Sequence, residues 1–157
     1  TDYTRRCGYD LVGREGMTLG EKWVDGAVTL HGMHSRGFPN CFIIGHTQSA
    51  FTANYPHLLN EQAIHLAHIV GHAQANDIQT IEASEAAEAE WVETIISQAR
   101  MMRRFFEDCT PGYYNNEGKP GDRSAQDGAY GGGPVRFFQL LADWRAKGEL
   151  EGLELTR

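Results

Sequence analysis

His65, His68 and His72 stand at i, i+3 and i+7, with Glu61 one turn earlier. On a helix the three imidazoles share one face, a donor set suited to Zn²⁺ or Ni²⁺. At about 100° per residue that stripe lies opposite Leu59, Ala63, Leu66 and Val70, so it is expected to face solvent. The spacing offers no ligand from a second element and no second shell. A solvated helix face and a surface metal site both remain open on these residues. A second candidate is the stretch Gly45 to Asn54, where Thr47, Gln48, Ser49, Thr52 and Asn54 offer donors and acceptors. Gly45 lets the backbone approach a ligand closely, and amides at a helix start favour an anion or a developing negative charge. A third is Cys109 to Gly118, with adjacent Tyr113 and Tyr114 and the pair Asn115 and Asn116, a composition that suits a closing loop.

The elements that must position these groups follow from periodicity and punctuation. Leu11 to Leu19 reads as a short hairpin around glycine, and Glu21 to Gly26 as one helical turn stopped by its glycine. Ala27 to Leu30 is expected to be a strand. Gly37-Phe38-Pro39-Asn40 marks a turn before Cys41-Phe42-Ile43-Ile44, a wholly apolar run of the kind buried on both faces of a parallel sheet. A helix is expected from about Pro56 to Ala75, and a second from its cap Ser84 to about Asp108, burying Val92, Ile95, Ile96, Ala99, Met102 and Phe106. A long Gly- and Asn-rich loop precedes a last helix from Pro134 to about Lys147, ended by Gly148. Strand, glycine, polar loop and helix is the order found at the ligand-binding edge of doubly wound sheets. One apolar strand cannot satisfy its own edges, so its neighbours are expected from residues outside this chain.

Composition narrows the function classes. The 157 residues carry 14 Lys+Arg against 21 Asp+Glu, a formal net charge of −7. That balance disfavours tracking nucleic-acid phosphates or docking on anionic membranes. Mean hydropathy is −0.46, and no apolar run approaches the roughly 18 residues of a membrane span. Cys7, Cys41 and Cys109 form no CxxC pair, so reduced thiols in a cytoplasmic protein are expected. No GxGxxG or P-loop occurs. Thr1 rather than Met opens the chain, and no apolar h-region follows it, so an upstream part is expected.

Together these segments resemble the C-terminal part of a type I Baeyer–Villiger monooxygenase. The resemblance runs through Met17 to Trp23, Gly37 to Gly45, Gln48-Ser49, Ala53 to Pro56, Glu61-Gln62, Glu90 to Val92, Gly118 to Pro120 and Gly148 to Leu155. Cys109 to Gly118 is similar to the branch acting on large cyclic ketones. The resemblance implies an α/β fold: a partial unit completing an FAD-binding Rossmann-like domain, mostly helical, with few strands and a long loop. It implies residues 1–108 as the C-terminal segment of that domain, 109–133 as a control-type loop and 134–157 as terminal helix and tail. FAD and NADPH are the implied cofactors and a small ketone the substrate. Insertion of one oxygen of O₂, through a flavin C4a-peroxide, would give an ester or lactone.

Carried over by position, Gly45, Gln48, Ser49, Asn54 and Tyr55 lie on the flavin side. Ala50, Phe51 and Thr52, with Tyr113 and Tyr114, face the substrate. Many members have Pro where this chain has His46. The family's FxGxxxHxxxW-type fingerprint and its peroxide-stabilising Arg do not occur in 1–157. The expected partner is therefore an N-terminal FAD/NADPH-binding part, on the same or another chain, with no catalytic residue inside 1–157 and no nucleic acid or membrane. The alternative is a non-catalytic binding module using the His65/His68/His72 face or an acidic docking surface.

Overall fold

A computed structural model describes residues 8–99, 108, 111 and 125–157. Its first regular pieces are local. Val12 bridges Thr18 across a 3₁₀ turn at Arg14–Gly16, which is the expected hairpin. Thr18 then caps α1 (Leu19–Lys22): its hydroxyl accepts from Glu21 N–H while the Glu21 carboxylate accepts from Thr18 N–H, a reciprocal capping box. Helix α2 (Tyr55–Ala75) starts where expected, with the Asn54 side chain accepting from His57 N–H and Pro56 in the first turn. Ser84 caps α3 (Glu85–Gln98), and α4 (Pro134–Lys147) stops at Gly148 in the left-handed conformation, φ 73°.

The extended elements depart from expectation. Cys41 to Ile44 forms no strand, and Ile44 is half exposed; Ile43 N–H donates to Met33 O, but no ladder runs along the segment. A central parallel strand needs neighbours on both edges, and the described residues supply none. Ala27 to Leu30 is not a strand either. Leu30 turns straight back to pair with His34 through the positive-φ residues His31 and Gly32. The sheet lies elsewhere: β1 (Thr80–Ala83) and β2 (Leu153–Thr156) pair antiparallel, with Ile81 opposite Leu155 and Ala83 opposite Leu153. Two strands of four residues need outside support. Ile81, Ala83 and Leu153 supply it by packing on the helices. Glu82 faces Glu154 across the ladder, and the repulsion is offset by Arg14 on Glu82 and Arg36 on Glu154.

Three apolar clusters fill the interior. The largest joins Leu30, Met33 and Ala50 to Leu58 and Leu66 of α2, Trp91 and Ile95 of α3, and Phe137 and Leu141 of α4. A second places Ile69 and Ala73 against Ile81, Trp144 and Leu150, and a third holds α1 through Leu19, Trp23, Ala27 and Phe38. On α3 the inward residues are Glu88, Trp91 and Ile95, followed by Ala99; Ile96 is exposed, and Met102 and Phe106 lie outside the described residues. On α2 the buried face is Leu58, Gln62, His65, Leu66, Ile69 and Ala73. This is the expected stripe turned by one residue, so Ala63 and Val70 face outward and His65 faces in. The turn at 30–34 and Trp144 set the rotation, because they need a partner surface that His65 provides. His65 lies 4.7 Å from the Trp144 ring and 5.8 Å from His31, which meets Trp91 edge-on at 5.0 Å.

Burial holds these imidazoles neutral, pushing His31 down to about 3, His34 to about 4 and His65 lower still. Their folded-state values lie below the ordinary 6.5 of an unfolded chain. The stability they permit is therefore complete above that value and lost as pH falls below it. Each one costs up to ~1.4 kcal/mol per pH unit through that window. Melting followed from pH ~7.5 to ~4 is expected to show a steep fall beginning near pH ~6.5, weakened in His31→Phe. A second test concerns the ion pair of Lys22 with Glu88, both largely buried, in which Glu88 also accepts from Arg36 N–H. Glu88→Ala strands the Lys22 ammonium and is expected to cost about 3 kcal/mol by denaturant unfolding.

Candidate functional site

The segment from Gly45 to Tyr55 crosses from the core to the head of α2, and its inner face is fastened by side chains. Gln62, on the buried face of α2, meets the Gly45 peptide as a second peptide would: Gly45 N–H donates to Gln62 Oε1 at 3.1 Å, and Gln62 Nε2 donates to Gly45 O at 2.8 Å. Ser49 Oγ donates to the same carbonyl at 2.5 Å. Gly45 has φ 154°, a conformation side chains disfavour, and a Cβ there would meet only the Tyr55 hydroxyl at 3.8 Å. The outer face is open: Phe51 and Tyr55 are exposed, and His46 meets both rings edge-on, at 6.3 and 6.0 Å. Burial lowers the His46 imidazole's pKa.

This outer face borders a cleft of about 380 Å³, walled by Leu11, Trp23, Phe42 and Ile43 and rimmed by Gly45, His46, Thr47 and Tyr55. Mostly apolar walls beside a few polar groups and a helix head are the makings of a small-molecule site. A larger cleft of about 540 Å³ lies between α3 and α4 over His31, Trp91, Tyr130 and Trp144. It contains none of the expected site residues.

The expected residues separate into two groups. Gly45 and Tyr55 line the cleft together, Phe51 meets the rim residue His46, Thr52 is half-buried outside the lining, and exposed Asn54 caps α2. Gln48, Ser49 and Ala50 are wholly buried. Gln48 turns its amide inward, to Thr29, Ala27 and Gln126, which leaves it no donor for a ligand. Tyr113 and Tyr114 lie outside the described residues. The solvated histidine face is corrected: His65 is buried against Trp144, His68 and His72 are half-buried, and no group of three metal-ligating side chains is set to hold an ion among the described residues. Cys41 is half-buried, and burial raises its thiol pKa, in keeping with an unreactive thiol.

The residues that the site depends on and that spacing alone misses are Gln62, Trp91 and Tyr130. Trp91 Nε1 donates to Gln48 O, and Tyr130 N–H to Ser49 O. A signal existed for Gln62, since an amide in register with Leu58, His65 and Ile69 is an amide in a core and must find partners there. Gln62→Leu leaves the Gly45 N–H and C=O without that partner. It is expected to lower stability by about 2 kcal/mol in denaturant unfolding.

No protein-family model matches the chain. Known proteins do. The chain is 52% identical over 153 residues to a pentalenolactone D synthase of Streptomyces exfoliatus, covering 98% of this chain and 26% of that protein. It is 35% identical over 146 residues to Baeyer-Villiger monooxygenase 4 of Dietzia sp. (strain D5), covering 93% and 24%. Among solved structures, a polycyclic ketone monooxygenase of Thermothelomyces thermophila superposes with a TM-score of 0.89 at 33% identity, covering 99% of this chain and 25% of that one. Other matches carry the name FAD-binding monooxygenase or were solved with NADP bound. The chain spans about a quarter of the length of the curated relatives it matches. Sequence and structure agree that the chain belongs to the Baeyer–Villiger monooxygenases, matching one segment of that family.

Proposed function

We propose that the chain is the C-terminal portion of a flavin monooxygenase that turns a ketone into an ester or lactone, and that Gly45 to Tyr55 lines the flavin ring and the ketone pocket. The observation that carries this reading is the two-sided loop: fastened inside by Gln62 and Gln48, open outside at Gly45 and Tyr55 over the apolar cleft, with exposed Phe51 against His46 at the rim. A planar, largely apolar ring system with a polar edge fits such a surface. FAD supplies the redox chemistry when bound, with NADPH as reductant, O₂ as oxidant, and water leaving with the second oxygen atom.

The chain's own residues bind and shape. The α2 N-terminus offers positive potential towards negative charge at the cleft edge. Phe51 and Thr52 set the contour of the substrate side, and Tyr55 closes the rim. Division into 1–108, 109–133 and 134–157 belongs to the same reading, although β2 ties the tail back to β1. The missing strand neighbours of Cys41 to Ile44 and the nucleotide-binding motifs would then come from an N-terminal part. No helix among the described residues is long and apolar enough to cross a membrane.

Residues 1–157 alone are expected to bind FAD weakly or not at all, followed by flavin absorbance after gel filtration. Joined to the N-terminal part, the chain is expected to support ketone-dependent NADPH oxidation with lactone or ester as product. A stoichiometric, slowly dissociating flavin on the chain alone, or NADPH oxidation indifferent to ketone, contradicts the reading.

A further inference from the structure

Gln48 is buried, has a positive φ of 51°, and is the point where three separate stretches of chain meet. Its Oε1 accepts from Thr29 Oγ1 at 2.5 Å, and its Nε2 donates to Ala27 O at 2.6 Å and to Gln126 O at 2.9 Å. Its N–H donates to Gly128 O at 3.0 Å, while its C=O accepts from Trp91 Nε1 at 3.0 Å. Around this residue the same stretches hold one another. Ala27 N–H donates to Asp127 Oδ1, Gln126 Nε2 donates to Ala27 O, and Tyr130 stacks on Trp91 at 5.6 Å. Three short irregular stretches are thus joined through one side chain.

Three residues farther on, the chain is exposed at Phe51. From Gln48 and Ser49 it rises through Ala50 to Ala53 and is fastened again at Asn54, the cap of α2. This short arch is held at its far end by the helix cap and at its near end by Gln48, beside which Ser49 O accepts from Tyr130 N–H and Ala50 packs in the core. Moving the Gln48 anchor tilts the arch and displaces Phe51, whose ring meets the cleft's rim residue His46, together with the adjoining Thr52, while the Gln62 clamp on Gly45 stays in place. A residue needed only to fill this space would not require an amide with every donor used.

We propose that Gln48 is a positioning residue for the reaction: it touches neither cofactor nor ketone but sets the 50–53 arch against the 26–29 and 125–130 stretches, and so fixes the ketone's place. The assignment rests on the functional reading above. It differs from the role that resemblance implies for Gln48, that of a flavin contact.

The test uses the complete FAD-bound enzyme and compares Gln48→Leu with Ile69→Val, a core change in the second apolar cluster away from the arch. Gln48→Leu is expected to keep its FAD, to raise KM for ketone about tenfold with kcat within about twofold, and to waste a larger share of NADPH without product. Ile69→Val lowers the melting temperature but moves neither KM nor the wasted share. Should Gln48→Leu fail to fold, Thr29→Val removes only the bond to Oε1 and is expected to shift KM the same way, by about threefold. KM shifts no larger than those of Ile69→Val, or loss of FAD in step with lost turnover, overturn the assignment alone. A wild-type enzyme that oxidises no ketone overturns the functional reading, and this assignment with it.

Discussion

Between Gly26 and Ala50 the chain must satisfy its backbone polar groups with no sheet to do it. Buried N–H and C=O groups cannot be left without partners at a cost of one to three kcal/mol each, roughly the margin on which a small domain survives. Side chains take the place of the missing ladder. Glu88 accepts from Arg36 N–H, Glu82 from Gly37 N–H and Gln62 from Gly45 N–H; Asn40 reaches across to Ile81 N–H. Trp23 and Trp91 donate their indole N–H groups to the carbonyls of Val28 and Gln48. The partners come from the end of α1 and from α2, α3 and β1, which hold this irregular segment in place.

That arrangement explains the shape of the candidate site. A loop fastened from behind by amides keeps its other face free, and at Gly45 to Tyr55 the free face borders the apolar cleft. Ion pairs act beside it: the largely buried Lys22–Glu88 pair and the more exposed Arg14–Glu82 and Arg36–Glu154 pairs bring the N-terminal segment onto α3 and the sheet.

Much of the helical framework was legible. Asn54 with Pro56, Ser84 with Glu85 and Glu88, and Pro134 with Gly148 mark real helix ends, because capping is local chemistry and needs no knowledge of the rest of the fold. What failed was tertiary. The stripe Leu59, Ala63, Leu66 and Val70 looked like the inner face of α2 because it is apolar. The true face carries Gln62 and His65, which are buried because Gly45, His31 and Trp144 meet them there. Cys41 to Ile44 has the composition of a central strand, but a strand exists only with neighbours, and the described residues provide none. Resemblance groups Gly45 to Tyr55 as one flavin-side loop and does not separate Tyr55, which borders the cleft, from Gln48, which faces the interior.

The claim that side chains stand in for a sheet is open to direct measurement by amide hydrogen exchange in the folded protein. The N–H groups of Ala27, Arg36, Gly37, Gly45 and Ile81 each donate to a side-chain oxygen. The account predicts that they exchange within about tenfold of the interior amides of α2, since both open only with the core. Exchange at the rate of an open loop, with α2 still protected, would contradict it.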